Sequence, residues 1–340
     1  MLVKNNKNSG YSLLELLIAM SVGVFVIGSV LAFFVNANHL QRIQHETSVL
    51  RENADFALTT IIEDIQLAGF MGCATRWSST KMFNTLNSPN SFEWNFAVAL
   101  QGNEYQFDEV SSSGSWLPIL DTSITSPLRG DVITIRRADR REFNVTSHAS
   151  STATVQTNSN NFKQNDFILV TDCETSSIFQ KTNSNYTQGI KHELTAATPS
   201  NLTTDLGKAY SDEAKLMKLT TVSYYIRDVN GVPALYRKAE GGNAQEIISG
   251  IENLNITYGV DHNNDFSVDE YLTADAINNA GEWARVLVVN IELLARSLSD
   301  NVTANRNAVD YFFDGATQTP DDAYLRTVVS AKVTLRNRML

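Results

Sequence analysis

From Tyr11 to Val35 the chain carries only two ionisable side chains, Tyr11 and Glu15, in a run otherwise built from Leu, Ile, Val, Phe, Ala, Met, Gly and Ser. As a helix rising about 1.5 Å per residue, this run would span about 37 Å, more than the ~30 Å hydrocarbon core of a bilayer. The segment can therefore cross a membrane. Ahead of it, "MLVKNNKNSG" supplies Lys4 and Lys7, which should hold that end in the cytoplasm and leave the remaining chain outside.

The acid inside the run needs a reason, because a carboxylate at the bilayer centre costs about 2.5 to 3.5 kcal/mol. A secretory signal has an apolar run of about 7 to 15 residues and then a small-residue cut site. Val35-Asn36-Ala37 could serve as that site, but the run is longer and a cleaved signal gains nothing from Glu15. A plain single-pass anchor leaves the acid equally unexplained. A third reading gives it a partner. Cutting after Gly10 would create an α-amine on Tyr11, cationic near neutral pH because such amines have a pKa of about 7.7 to 8.0. Glu15 would lie four residues on, about one helical turn, and could pair with its own terminus or a neighbouring copy's. Such a pair would fix the axial register of stacked subunits.

"G-Y-S-L-L-E-L-L-I-A" closely resembles the prepilin motif of type IV pilins and type II secretion pseudopilins. That motif is a short basic leader ending in glycine, an aromatic first mature residue and a glutamate at the fifth mature position. Gly10, Tyr11 and Glu15 fall in that order. The resemblance implies that a membrane prepilin peptidase cuts after Gly10 and methylates the amine of Tyr11. It also implies that Glu15 helps recruit the subunit into a helical filament.

The helix should continue beyond the membrane. Leu40, Ile43, Val49, Leu50, Phe56, Ile61, Ile62 and Ile65 recur at helical spacing, no proline interrupts them, and Gly69 is a natural stop. The organisation expected is a leader at 1–10, a transmembrane half-helix at 11–35, an amphipathic half at 36–69 and an exported head at 70–340. The head contains strand-like runs at 131–137, 166–171, 215–228, 254–260, 284–297 and 325–337, rich in β-branched and aromatic residues. No crossover helices are evident between them. The fold class expected is α+β: a long N-terminal helix packed on an antiparallel β-sheet head. Ser-, Asn- and Thr-rich stretches at 76–126, 144–165, 182–213 and 298–322 read as surface loops.

The only two cysteines are Cys73 and Cys173. In an oxidising, exported compartment they can form a disulfide tying the end of the helix to the sheet, worth up to about 4.7 kcal/mol in the chain-entropy model. Two separate buried thiols are the alternative. "QLAGFMGC", "RGDVITIRR", "VTDCETSSIF" and "VTLRNR" resemble the PilW-like minor pilins of type IV pilus assembly, more patchily than the prepilin motif but across most of the chain. This resemblance implies a low-abundance subunit that primes assembly or sits near the filament tip. Its implied partners are other minor pilins, the major pilin, the peptidase and an inner-membrane assembly platform. It would sit in the inner membrane with its head in the periplasm, and at the cell surface after assembly. A GspJ-like pseudopilin of type II secretion is the nearest alternative.

Other features carry less. In "YGVDHNNDFSVDEY", Asp261, Asn263, Asp265, Ser267 and Asp269 occupy alternate positions, as oxygen ligands do in calcium loops. Phe266 stands in place of the loop glycine and Leu272 in place of the bidentate Glu, so a polar turn is the other reading. "RGD" at 129–131 and sequons such as those at Asn144 and Asn301 are too short to specify adhesion or glycosylation. A net charge of −10 disfavours nucleic acid. No G-x-S-x-G, H-E-x-x-H or phosphate-binding glycine loop is present, and His39, His45, His148, His192 and His262 are scattered, so no enzyme is expected.

N-terminal sequencing of the mature chain is expected to find methylated Tyr11. Asn38 at the terminus would mark a secretory signal, and an intact Met1 a plain anchor.

Overall fold

The first proline is Pro89, so nothing stops the N-terminal helix before the chain's own signals do. In the computed structural model, which describes residues 12–73, 82–108, 113–158, 161–184, 186–195, 199–239, 241–300 and 309–338, α1 (Leu13–Gln66) runs unbroken for 54 residues. It continues through Val35-Asn36-Ala37. It ends at Gln66 with Leu67 as its cap, and two residues on Gly69 turns the chain at φ +73°, a left-handed value that suits glycine. The Gly69 N–H donates to the Arg136 carbonyl at 3.0 Å, and the Ala138 N–H donates to Phe70 at 2.7 Å, so the chain leaves the helix already hydrogen-bonded to the head.

Twelve strands form the larger sheet: β1 (Met82–Asn84), β2 (Leu100–Asp108), β3 (Ser113–Leu117), β4 (Val132–Ala138), β5 (Phe143–Ser147), β6 (Val155–Thr157), β7 (Phe167–Thr171), β8 (Ser176–Gln180), β9 (Gly189–Ile190), β10 (Lys215–Val229), β11 (Val232–Ala239) and β12 (Gln245–Ser249). Its main path is β1-β8-β7-β10-β4-β2-β3, with β11 and β12 continuing from β10 and the small strands β5, β6 and β9 branching from it. Only β1–β8 pairs parallel among the described strands. β10 is long enough to serve two neighbourhoods, pairing β7 with its first residues and β11 with its last. Asn230 and Gly231 both take positive φ, which is what a two-residue hairpin turn between β10 and β11 requires.

The remaining chain builds a second sheet from β13 (Ile251–Val260), β14 (Glu270–Leu272), β15 (Val286–Arg296) and, after α2 (Ala274–Ala280) and the hairpin β16 (Tyr311–Phe313)–β17 (Ala316–Gln318), β18 (Arg326–Thr334). Its order is β14-β13-β15-β18, antiparallel throughout. The second half of α1 lies on β15 and β18 and also reaches β12.

One core joins helix and both sheets. Leu50, Ala54, Ala57, Leu58, Ile61 and Ile65 meet Ile133, Tyr224, Leu235, Ile256, Ile291 and Val333. Each large aliphatic side chain buried here stabilises the fold by about 1.5 to 3 kcal/mol. Ala54 and Ala57 set the buried face because small side chains let the strands approach closely. Leu40 and Phe56, expected on that face, are 57% and 53% exposed.

The long strand-like runs match strands, but the four stretches expected to be loops also contain β1 to β3, β5 and β6, β9, and β16 and β17. These strands are short or polar on both faces, so neither hydrophobic alternation nor length betrays them. β8, β11, β12 and β14 add to the expected set; β11 carries Pro233, a residue that argues against a strand in sequence.

Asp131 cross-ties the two sheets. Its Oδ1 accepts the Tyr105 N–H of β2 at 2.8 Å and its Oδ2 accepts the Ile256 N–H of β13 at 2.7 Å. Gly130, at φ +76°, leaves no room for a Cβ against the Leu254 backbone. The Asp of "RGD" is thus buried and internally bonded, which removes the adhesion reading. Burial, aided by the charges of Glu104 and Asp314, pushes Asp131 up to about 7 against the pull of its two backbone donors. The ordinary value is 3.8, so between these pH values the folded chain holds the extra proton and this group's contribution to stability falls as pH rises. Urea unfolding should show the free energy of wild type minus that of Asp131→Asn shrinking from about pH 4 to about pH 7. A flat or growing difference would contradict the assignment.

Candidate functional site

Gly10 and Tyr11 lie outside the described residues; the site begins at Ser12. Ser12 caps α1, its Oγ accepting the Leu14 N–H at 3.3 Å. Glu15 reaches back so that its Oε2 accepts the Ser12 N–H at 3.1 Å. Together they form a capping box, which satisfies two otherwise orphaned donors at the start of the helix. Glu15 therefore has a neutral local partner as well as any cation, and the box aims its carboxylate at the residue next to Tyr11. The S-x-x-E spacing of Ser12 and Glu15 was a readable signal for this.

Beyond the cap, α1 exposes an apolar surface with no covering from the head. Its membrane-length window has no buried residue, and Val24, Phe25 and Phe33 are more than two-thirds exposed. Glu15, Ile18, Ala19, Val22, Gly23, Val26 and Ile27 line one shallow groove along it. Among the described residues α1 is the one helix long and apolar enough to cross a membrane.

The other end of α1 is clamped to the head by charge. Asp64 faces inward and receives Arg137 (Nη2 at 2.7 Å, Nε at 3.1 Å), the Tyr224 hydroxyl at 2.6 Å and Arg237 Nε at 3.3 Å. Burial alone would raise this carboxyl, but the Tyr224 hydrogen bond and the two guanidinium charges outweigh it and hold Asp64 below its ordinary value. These partners stand on β4, β10 and β11, so one carboxylate fixes the helix against three adjacent strands. A cleft of about 480 Å³ opens beside it, lined among others by Glu63, Arg140, Arg141 and Lys218. Asn337 donates to the carbonyls of Gln66 at 3.3 Å and Ala68 at 3.2 Å, which have no intrahelical partner at a helix end.

Cys73 and Cys173 are joined as a disulfide, with Cα atoms 5.1 Å apart across 100 positions of sequence. The bridge links the segment leaving α1 to the turn after β7. Gly72 beside it packs against Met217 with no space for a side chain.

In the stretch expected to favour calcium, Asp261 accepts the N–H groups of Asn264, Asp265 and Phe266, and Asp265 accepts that of Ser267. Asp269 accepts the His262 N–H, and Asn263 contacts both Asp265 and Asp269. Phe266 adopts φ +64°, the left-handed turn for which such loops ordinarily use glycine. Among the described residues no three Asp, Glu, His or Cys side chains gather to hold a metal ion. The calcium expectation thus rests on residue spacing.

Two histidines that are far apart in sequence do meet. His148 and His192 lie 6.3 Å apart between ring centroids, buried beside Tyr210, and burial first of all lowers both from the ordinary value. His148 Nδ1 accepts the Tyr210 N–H and His192 Nε2 lies 2.9 Å from the Ala153 carbonyl, so both rings serve packing.

Residues 5–31 match the family model described as "Prokaryotic N-terminal methylation motif", and residues 223–337 match that described as "Type IV Pilus-assembly protein W". No curated protein and no solved structure matches. The second match begins within β10 and ends at Asn337, so it covers all of the smaller sheet on which α1 rests and the residue that caps the helix end.

Proposed function

We propose that this PilW-like type IV minor pilin is a structural subunit that is cut after Gly10, methylated on Tyr11 and drawn from the membrane into a filament, where it primes assembly or sits near the tip. The observation that carries the proposal is the division of α1. Its first half follows a methylation motif and leaves its apolar surface bare, whereas its second half is built into the head. A bare apolar surface of that length calls for lipid or other such helices, and a filament core supplies the second. The partners would be other pilins, the peptidase and the assembly platform, with the head in the periplasm before assembly. The PilW match favours a pilus over the type II secretion filament of a GspJ-like pseudopilin. Pilin-family matches also point away from an enzyme.

Glu15→Gln tests the role of the charge, because glutamine preserves a capping box while removing the carboxylate. The variant is expected to be cleaved and inserted normally but to reach sheared filaments at about a tenth of the wild-type level or less, about 1.4 kcal/mol of lost pairing. Wild-type recovery of Glu15→Gln, with loss in Glu15→Ala, would assign the acid to capping and overturn the pairing.

A further inference from the structure

Among the described strands β18 lies at a sheet edge, paired with β15 on one side, with β16 near it but in no shared ladder. Two flanking bonds, Ser297 N–H to Leu325 and Leu335 N–H to Leu287, set which of its residues face β15. In the unshifted antiparallel register, Thr327, Val329, Ala331 and Val333 exchange hydrogen bonds with β15. Arg326, Val328, Ser330, Lys332 and Thr334 therefore turn their N–H and C=O groups away from the sheet, where no described residue bonds to them.

The other strands at sheet edges are protected by brevity or irregularity: β1 and β14 have three residues each, β3 and β12 five, and β12 pairs through a register shift. β18 has nine residues, no proline and no bulge. Its one mid-strand charge, Lys332, is drawn over the Tyr271 ring at 4.8 Å, on the face of the sheet and off its edge. Exposed long edges are templates for another strand, and natural proteins ordinarily block them.

We propose that the β18 edge receives an extended, acidic segment of a different pilus subunit, which adds a fifth strand to the smaller sheet. Charge selects that occupant. Residues 326–340 carry Arg326, Lys332, Arg336 and Arg338 and no Asp or Glu, in a chain whose net charge is −10. Arg326 is already paired with Glu252 and Asp322, which leaves the exposed Arg336 just past the strand, and Lys332 on the sheet face where the side chains of an added strand would lie beside it, to meet acids of the incoming segment. A second copy of this chain would bring the same cations opposite each other, which costs affinity. Backbone pairing would supply affinity, and side chains alternating between the α1 side and solvent would supply selection. The proposal rests on the pilin reading above.

Ser330→Pro removes one outward N–H and spares the ladder to β15, a position where an edge strand tolerates proline. In cells making the filament, full-length Ser330→Pro should insert in the membrane and form its disulfide, yet its recovery in sheared filaments should fall about tenfold or more. Lys332→Glu with Arg336→Glu should lower recovery in the same direction. Wild-type recovery of Ser330→Pro while Glu15→Gln is blocked overturns the edge proposal and leaves the pilin reading standing; wild-type recovery of both overturns both. If proline unfolds the head, amide exchange of the wild-type chain decides. The Val328, Ser330 and Lys332 amides should be slowed about tenfold or more on assembly. Unchanged exchange, or equal slowing in the purified chain alone at high concentration, overturns the different-subunit occupant.

Discussion

One helix has to satisfy two solvents along a single axis, and the rest of the structure follows from that constraint. After Glu15 and into the thirties α1 offers an apolar surface broken only by Ser21 and Ser29, and from Leu50 onward it is part of a protein core. Such a helix cannot be held by hydrophobicity alone, because apolar contact does not choose an axial position. Polar contacts near its two ends do. Glu15 and Ser12 fix the first turn, and Asp64 fixes the last turns against Arg137, Arg237 and Tyr224. The Asp64 cluster is inside the head, where a carboxylate held by two guanidiniums and a phenol is expensive to disrupt.

The head is organised around keeping that helix in place. Its two sheets share a core with α1, and Asp131 ties them together at backbone level. The disulfide and Asn337 then fasten the chain just past the helix end. Any pull on the apolar half would therefore be passed to both sheets. The match to the pilus-assembly family takes in the end of β10, β11, β12 and the whole smaller sheet that carries the helix, while the matched methylation motif reaches into the apolar half.

The sequence made the helix legible because an uninterrupted apolar run and a terminating glycine are local signals. Long β-branched runs such as those of β10 and β15 were legible for the same reason. Short strands were not, since β5, β6 and β16 bury too few residues to show alternation. The inward face of α1 was misleading: Phe56 is the larger hydrophobe, yet Ala54 and Ala57 are what the strands approach. The two cross-ties were invisible, because Asp64 and Asp131 look like ordinary surface acids until residues more than 100 positions away close over them. The capping box at Ser12 and Glu15 was visible in principle, and it adds a second role to an acid that otherwise demands a cation.

Accessibility along α1 tests this division most directly. With the native cysteines bridged, single cysteines can be placed at Phe25 and at the exposed Glu52 of the full-length chain and treated, in cells with a permeable outer membrane, with a membrane-impermeant maleimide. The account predicts that Glu52→Cys labels while Phe25→Cys does not, either in the membrane or in filaments. Labelling of Phe25→Cys in intact membranes would contradict it, because the apolar half of α1 would then stand in water.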